Sequence, residues 1–236
     1  MDIPVKFSTI TPKIEDILQY FSWRRHPLLP EIELFTAQEK GNLKQLLIDN
    51  KHSWQWPYMW ECGVTLARWI LDNPHIVKDK VVYDLGTGQG TVAIAAKKAG
   101  AKIVVGVDCC EYSQFVLEAN SERNNVNTVF YKSDIFKAKI PDGYVVFASD
   151  VVYGQQTSQK LLDYFWDLSS TRTVVLSQSG RSNNFDFNEI NKDRFKLIME
   201  MNTPLFTPAL ENEPHISRGF IPISLYTPNP LILQSL

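Results

Sequence analysis

The second half of the chain alternates short apolar runs with amphipathic segments. β-Branched, apolar runs bounded by polar turns are typical of buried strands, and apolar residues that recur at intervals of three or four are typical of helices. The runs predict strands over residues 81–85, 102–107, 128–131, 144–148 and 173–176, and the amphipathic segments predict helices over 91–98, 112–123 and around Leu161, Leu162 and Phe165. Because parallel strands need crossover connections, we expect a mainly parallel sheet with helices on both faces.

The C-terminal part of the chain has a different pattern. Two extended runs, Phe195 to Met201 and Ile216 to Tyr226, are joined by a Pro-rich connection without a helical period. Consecutive strands that lack a crossover helix pair antiparallel. The predicted fold is therefore α/β, with a doubly wound, mostly parallel, seven-stranded Rossmann-like sheet whose C-terminal strand is antiparallel.

The N-terminal part of the chain carries weaker helical patterns. Pro12 is placed to begin a helix, because proline suits the first helical position. The apolar residues that share a helical face are Ile14, Ile17, Leu18 and Phe21 in one set and Leu43, Leu46 and Leu47 in a second. We therefore divide the chain into an N-terminal helical extension, residues 1–50, and one α/β domain, residues 51–236.

Length, composition and charge are ordinary for a globular protein and exclude several classes. The chain has 236 residues, of which 44% are hydrophobic, and a formal net charge of -2, so no overall basic surface favours a nucleic-acid partner. Three cysteines and four scattered histidines form neither a disulfide framework nor a metal-binding pair, so we expect no metal. No apolar run is long enough to span a bilayer and no signal peptide is recognisable, which predicts a cytoplasmic protein without a membrane partner and leaves the nucleus open.

The strongest local motif is a glycine-rich stretch between a predicted strand and a predicted helix. It reads Asp84-Leu-Gly86-Thr87-Gly88-Gln-Gly90. Glycines let the backbone turn sharply and approach a ligand, and free amides at a helix start favour a carboxylate or a phosphate. Such turns also occur for purely structural reasons, so the motif gains its weight from the residues around it.

Acidic residues stand at the carboxyl ends of four successive predicted strands, at Asp84, Asp108, Asp134 and Asp150. Ligands of open α/β sheets bind at this edge. An acid in the position of Asp108 can accept hydrogen bonds from both ribose hydroxyls of an adenosine, and Asp134 can accept from an adenine amino group. Each acid alone also fits a helix cap or a loop, but loop polarity does not explain four in succession.

Together these motifs resemble those of the class I (seven-β-strand) S-adenosylmethionine (SAM)-dependent methyltransferases, and within them the family 16 protein methyltransferases, which mostly modify lysines. The glycine stretch resembles motif I of the class, and Asp108 resembles its ribose-binding acid. Ser133-Asp134-Ile135 is similar to the adenine-contacting motif, and Asp150-Val-Val-Tyr153 is similar to the acidic-x-x-aromatic signature of the family. Trp60-Glu61 resembles the start of the helix before motif I, where the tryptophan lines the cofactor pocket. The resemblance covers roughly residues 54–226.

The resemblance implies a cofactor, a set of contacts and an acceptor. The cofactor is SAM, with S-adenosyl-L-homocysteine (SAH) as product, and residues 51–236 form the methyltransferase domain. Asp150 and Tyr153 are the implied catalytic residues. The implied acceptor is a protein amine, by family habit a lysine of a translation factor. We expect the enzyme to be a monomer and to use no metal. The implied cofactor contacts are Trp60, Asp84, Gly86, Thr87, Gly88, Gly90, Asp108, Cys109, Asp134, Ile135, Ser149 and Asp150.

Several alternatives stay open on the sequence alone. An NAD-dependent oxidoreductase also uses a glycine turn and a ribose acid, although the glycine spacing here differs from its fingerprint. A small-molecule N-methyltransferase or a catalytically silent SAM-binding protein shares the cofactor motifs. The acceptor amine can be a histidine or an N-terminus, and Gln178, in place of the more usual acidic or Pro-containing version of this segment, leaves the subfamily open. The aromatic residues Trp54, Trp56 and Tyr58 fit a core as well as a ligand wall.

Overall fold

A computed structural model describes residues 11–38, 41–152, 155–179, 193–207 and 219–229. Over these residues the strands are β1 (Phe21–Arg24), β2 (Leu34–Ala37), β3 (Val81–Leu85), β4 (Ile103–Asp108), β5 (Val129–Lys132), β6 (Val145–Ser149), β7 (Thr173–Ser179), β8 (Lys196–Pro204) and β9 (Phe220–Thr227). The helices are α1 (Ile14–Leu18), α2 (Gly41–Asp49), α3 (Glu61–Asp72), α4 (Thr91–Lys98), α5 (Glu111–Arg123) and α6 (Gln155–Leu168). Short 3-10 turns lie at Pro74–Ile76 and Ile135–Lys137.

The strands from β3 onward form one sheet of seven strands in the order β5-β4-β3-β6-β7-β9-β8. The five strands β3 to β7 run parallel to one another. The strand β9 pairs antiparallel with both β7 and β8. This arrangement confirms the predicted α/β fold and its antiparallel C-terminal strand. The winding of the chain reverses at β3, between β4 and β6, and ligands of such sheets bind outside the carboxyl ends of the strands at this reversal.

The strand limits differ from the predicted ones where a neighbouring strand extends the pairing. The sequence predicted an end at Leu176, but β7 continues to Ser179, because Gln178 and Ser179 pair with Ser224 and Ile223 of β9. The last strand was predicted from residue 216, which lies outside the described residues, and β9 begins at residue 220. The additional pairing of β7 carries two polar residues to the ligand edge of the sheet.

Helices cover both faces of the sheet and close an apolar core on each side. On one face α3 and α4 bury Leu66, Ile70 and Val92 against the strands. On the other face α6 contributes Leu162 and Phe165. In the part of the chain that the structure describes, no helix combines the length and the apolar character needed to cross a bilayer.

The N-terminal region contains a β-hairpin that the sequence analysis missed. α1 ends at Leu18, and Phe21, which was expected on the same helical face, lies in β1 and pairs with Ala37 of β2. The ring of Phe21 packs against two others, with centroid distances of 5.2 Å to Phe35 and 5.8 Å to Trp56. A helical extension is therefore an incomplete description, because these tertiary contacts favour strands over a longer helix.

The N-terminal region shares a core with α5. The shared apolar cluster contains Ile14, Ile17, Leu43 and Leu47 from α1 and α2, and Tyr112, Phe115 and Val116 from α5. Asparagines of α5 also bind the backbone beside β2: Asn120 accepts from the Phe35 amide at 2.6 Å, and Asn124 accepts from the Glu33 amide at 3.0 Å. Hydrophobic and polar contacts thus join this region to the large sheet through α5.

The turn between β3 and α4 requires glycine for two different reasons. Gly86, Gly88 and Gly90 have φ values of 75°, 51° and 92°, in the left-handed region that disfavours side chains. At Gly90 a Cβ would in addition lie 2.2 Å from Cδ1 of Leu117 on α5. Gly90 therefore permits the close approach of this turn to α5.

Asp84 anchors the same turn from below. Its Oδ2 accepts hydrogen bonds from the Thr87 hydroxyl at 2.7 Å and from the Ala93 amide at 3.2 Å. Its Oδ1 is buried and has no hydrogen-bond partner among the described residues. Because burial disfavours the charged carboxylate, the pKa of Asp84 is raised to about 7.

We expect Gly90→Ala to destabilise the protein more than Gly143→Ala does. Both glycines have positive φ, 92° and 78°, so alanine is strained by roughly 1–2 kcal/mol at either position. A Cβ at Gly143 has no atom within 4 Å, whereas one at Gly90 overlaps Leu117. Urea unfolding of both variants measures the difference. Equal losses of stability would mean that backbone conformation alone requires glycine at position 90.

We expect Asp84→Asn to weaken the pH dependence of stability. The folded-state pKa of about 7 lies above the ordinary value of 3.8, so the folded protein retains this proton to higher pH than the unfolded chain. Stability therefore falls as pH rises from about 4 to about 7, by up to about 4 kcal/mol, and asparagine removes this contribution while its amide oxygen accepts the same bonds. Free energies of unfolding measured by urea across this range test the effect. The exposed substitution Asp167→Asn is the control, and parallel curves for Asp84→Asn and wild type would contradict the expectation.

Candidate active site

A cavity of about 620 Å³ lies along the carboxyl ends of the parallel strands. Small-molecule sites commonly have volumes of about 300–1,000 Å³. Ten of the residues implied as cofactor contacts line it: Trp60, Gly86, Thr87, Gly88, Asp108, Cys109, Asp134, Ile135, Ser149 and Asp150. They come from the ends of four parallel strands and from the start of α3, so the sheet brings together residues that are far apart in sequence.

Two of the residues named from the sequence do not line the cavity. Asp84 lies beneath the glycine turn, and Gly90 packs against Leu117 of α5, so both shape the turn without lining the cavity. Tyr153, the second implied catalytic residue, lies outside the described residues. Its implied role stays a prediction.

Asp108, at the end of β4, brings a buried carboxylate to the cavity. Its Oδ2 accepts from the Gly88 amide and its Oδ1 from the Cys110 amide, each at 2.9 Å. Burial raises the pKa of Asp108, and these amides oppose that rise. An ionised carboxylate has about four lone-pair positions, so each oxygen can accept one further hydrogen bond. Two neighbouring hydroxyls of a ribose fit this pair of acceptors.

The glycine turn brings bare backbone to the cavity. A Cβ at Gly86 would lie 2.8 Å from Cγ1 of Val151, and one at Gly88 would lie 3.1 Å from the Trp56 carbonyl oxygen. Side chains at these positions would fill space between the turn and its neighbours. Both glycines also line the cavity, so a ligand there can approach the main chain close to the first amides of α4, which favour a carboxylate.

The turn after β5 adds a polar residue and an aromatic rim. Asp134 caps the 3-10 turn, since its Oδ1 accepts from the Phe136 amide at 2.9 Å. Phe136 lines the cavity and is 44% exposed. The sequence analysis missed Phe136, because a single aromatic residue in a loop belongs to no recognisable motif. The contact of Asp134 with an adenine amino group stays a prediction.

Asp150 follows β6 in a backbone conformation that is uncommon for its residue type. Its φ is 54°, in the left-handed region that residues other than glycine seldom adopt. Its amide donates to the Ser177 carbonyl of β7 at 3.0 Å, and the residue lines the cavity. Backbone strain of this kind costs about 1–3 kcal/mol and clusters at functional sites. The acidic member of the Asp-x-x-Tyr signature is thus held at the cavity by the edge of β7.

The end of β7 contributes two lining residues that the sequence analysis did not name as site residues, Gln178 and Ser179. Gln178 is buried, and its Nε2 donates to the Val152 carbonyl at 2.8 Å. Their position was hidden because the strand was predicted to end at Leu176. The pairing with β9 extends β7 to Ser179 and places both residues at the carboxyl edge of the sheet.

Aromatic residues that precede α3 also line the cavity. They are Trp54, Trp56, Tyr58 and Trp60. The ring of Trp60 lies edge-on to two others, with centroid distances of 6.1 Å to Trp54 and 5.9 Å to Tyr58. Trp56 and Tyr58 belong to the core shared with α5 as well. The sequence left open whether these residues belong to a core or to the wall of a ligand site. Trp56 and Tyr58 belong to the core and line the cavity at the same time.

The adjacent cysteines differ in place and neither is an activated nucleophile. Cys109 is exposed at the cavity, whereas Cys110 is buried in the core shared with α5. Burial raises the pKa of the Cys109 thiol, and it raises the pKa of Cys110 to about 12. Both are protonated at neutral pH, and a thiol reacts chiefly as its thiolate.

Glu61 joins the start of α3 to the segment that follows β8. Its Oε1 accepts from the amides of Phe206 and Thr207 at 2.8 and 2.7 Å. Its Oε2 is buried, and no residue in the described part of the chain hydrogen-bonds to it. Burial raises the pKa of this carboxyl group. Because Glu61 is next to Trp60, the same contact fixes one wall of the cavity.

Comparisons with known proteins agree with this geometry. The family model described as "Ribosomal protein L11 methyltransferase (PrmA)" matches residues 68–151, which include the glycine turn, Asp108 and Asp134. The electron transfer flavoprotein beta subunit lysine methyltransferase of Xenopus laevis is 29% identical over 196 residues, 76% of this chain and 74% of that protein. The Homo sapiens protein of the same name is 40% identical over 131 residues, 53% of this chain and 49% of that protein. The chain spans about half the length of the mouse, zebrafish, human and rat relatives of this name.

Solved structures share the fold at low sequence identity. Magnesium protoporphyrin IX methyltransferase from Synechocystis PCC 6803, with bound SAM, superposes with a TM-score of 0.53 and 17% identity. The match covers 81% of this chain and 86% of that one. Likeness at this identity concerns the fold alone.

The sheet order, the motifs along the ligand edge and the named relatives point to the same family. The antiparallel last strand and the carboxylate of Asp108 beside the glycine turn agree with the resemblance seen in the sequence. The chain is similar to the class I (seven-β-strand) SAM-dependent methyltransferases and, among them, to the family 16 protein lysine methyltransferases.

Proposed function

We propose that this protein transfers a methyl group from SAM to a lysine side chain of a protein acceptor. The observation that carries the proposal is the position of Asp150, which lines the same cavity as Asp108 and the glycine turn. When an amine attacks the methyl group, positive charge develops on its nitrogen. A carboxylate beside the cofactor site can stabilise that charge. The names of the relatives support lysine as the acceptor residue.

The cofactor half of the site is formed by Asp108, the glycine turn and Trp60. Asp108 offers two oxygens to the ribose hydroxyls, and the turn offers backbone to the amino-acid part of the cofactor. Trp60 is held by the bond from its Nε1 to the Gln55 carbonyl at 2.7 Å, and its ring attracts a cation through its π face. When bound, SAM supplies a methyl group on a positively charged sulfur.

Asp150 acts on the acceptor amine. A lysine ammonium has no lone pair, so attack requires the neutral amine, held in line with the bond that breaks. Asp150 accepts a hydrogen bond from this amine and stabilises the positive charge that forms on it. The proton passes to water, and no second side chain is needed for the transfer.

The β subunit of electron transfer flavoprotein is the first acceptor to test. The mammalian, fish and frog relatives are named for this subunit. These names do not support the translation factor that family habit suggested. The matched part of the chain covers only part of most relatives, so we treat the acceptor of this protein as a proposal with its own test.

Three expectations from the sequence are carried forward as proposals. They are a monomeric working form, no nucleic-acid or membrane partner, and a cytoplasmic location. The monomer is tested by light scattering of the purified protein with and without SAH. A dimer that dissociates on dilution would overturn that proposal.

We expect Asp108→Asn to weaken SAH binding roughly 10- to 100-fold, because hydrogen bonds to a charged group contribute about 1.5–3 kcal/mol. Asparagine keeps the size of the side chain but replaces an acceptor oxygen by a donor. Isothermal titration calorimetry gives the Kd, and the exposed substitution Asp167→Asn should leave it unchanged. In a thermal shift experiment SAH should stabilise the wild type and NAD should not. Stabilisation by NAD would instead support the oxidoreductase alternative.

We expect Asp150→Asn to lower the rate of methyl transfer at least roughly 100-fold while SAH binding persists. Asparagine tolerates left-handed φ, so this variant removes the charge and keeps the backbone conformation at 54°. The measurement is transfer of labelled methyl from SAM into purified electron transfer flavoprotein and into a hypomethylated lysate, followed by mass spectrometry of labelled bands. Label on lysine that the variant fails to add supports the proposal. Label on a small molecule, or none on protein despite SAM binding, contradicts it.

A further inference from the structure

A hydrogen bond from the side chain of Gln178 holds the backbone that follows Asp150. Its Nε2 donates to the Val152 carbonyl at 2.8 Å. Val152 is two positions beyond Asp150, and the Asp150 amide itself donates to the Ser177 carbonyl at 3.0 Å. Two successive residues of β7 therefore hold the start and the end of this short segment.

The segment needs such support because Asp150 is strained. Its φ of 54° is uncommon for an aspartate, and strained conformations persist where the surrounding structure fixes them. The Ser177 bond fixes the amide of Asp150 only. The bond from Gln178 fixes a second point two residues later, at the Val152 carbonyl, and so limits how the peptide groups after Asp150 can rotate. The direction of the Asp150 carboxylate depends on these peptide groups.

Gln178 is well placed to give this support. Its side chain is buried, and its main chain pairs with Ser224 of β9, so it belongs to the interior of the sheet. It also lines the cavity together with Asp150. Its amide is neutral and can donate, whereas an ionised acidic side chain in this place could not donate to a carbonyl and would repel the carboxylate of Asp150.

We propose that Gln178 is a positioning residue for methyl transfer, which aims the Asp150 carboxylate at the acceptor amine by holding the Val152 carbonyl. The role rests on the proposed function, because Asp150 has a task only if an amine is methylated. It makes no demand on cofactor binding, since Gln178 belongs to β7 and not to the glycine turn or to the end of β4. A misplacement of about 1 Å can lower a rate by about 100-fold.

The test compares Gln178→Leu with a matched control, Thr227→Val. Thr227 is also buried, and its hydroxyl donates to a β7 carbonyl, that of Val174, at 2.7 Å, but it does not line the cavity. Each variant removes side-chain hydrogen bonds to the backbone of the sheet region: Gln178 donates to the Val152 and Ser179 carbonyls, and Thr227 donates to the Val174 carbonyl and accepts from the Asn229 amide. For Gln178→Leu we expect kcat to fall up to roughly 100-fold, with unchanged acceptor KM and unchanged SAH Kd. For Thr227→Val we expect lower stability and an unchanged kcat.

A second measurement is independent of the acceptor. Hydrogen exchange of the peptide that contains residues 149–152, in the SAH-bound protein, should be faster in Gln178→Leu and unchanged in Thr227→Val. An unchanged exchange rate in Gln178→Leu would overturn the proposal, as would an unchanged kcat or a loss of SAH affinity equal to the loss of rate. If the wild type methylates no lysine, the proposed function fails, and faster exchange in Gln178→Leu still supports its hold on the segment after Asp150.

Discussion

The pairing of β3 with β4 on one side and with β6 on the other determines where this protein can bind ligands. Parallel strands point their carboxyl ends in one direction, so Asp108 and Asp150, at the ends of β4 and β6, flank the glycine turn that follows β3. The crossover helices cover both faces of the sheet and leave this edge open. A ligand therefore reaches the sheet at the edge where both acids stand.

Buried carboxyl groups keep this edge rigid. Asp84 binds the turn from below, Asp108 binds it from β4, and Glu61 binds the segment after β8 to the start of α3. In each case burial raises the pKa, so the folded state is penalised for holding the group as an anion. Burial of these carboxyl groups lowers the stability of the folded state, but their hydrogen bonds fix backbone amides and one wall of the cavity.

The region before the large sheet belongs to the same structural unit as the cavity. Its helices share a core with α5, and that core includes Trp56 and Tyr58, which also line the cavity. The ammonium group of Lys44 on α2 lies 4.1 Å from the ring centroid of Trp54, another lining residue. Changes in the N-terminal region can therefore reach the cavity through packing alone.

The sequence by itself determined the parts of the protein that depend on local pattern. Strands and helices from β3 to α6 followed from apolar periodicity, and the family followed from motifs that occur in a fixed order. The site was predicted to the extent that its members stand directly after strands, as Asp108 and Asp150 do. Such residues reach the ligand edge in any parallel sheet, whatever the details of packing.

Only the tertiary structure decided the rest, because the causes are contacts between distant residues. The hairpin at Phe21 exists through aromatic packing against Trp56, and β7 is longer than its apolar run because β9 pairs with Gln178. Asp84 and Gly90 were predicted to contact the cofactor. Instead, Asp84 accepts hydrogen bonds from the Thr87 hydroxyl and the Ala93 amide, and Gly90 packs against Leu117 of α5. A linear pattern records which side chains are polar or small. It does not record which distant backbone each of them touches, and that contact sets its role.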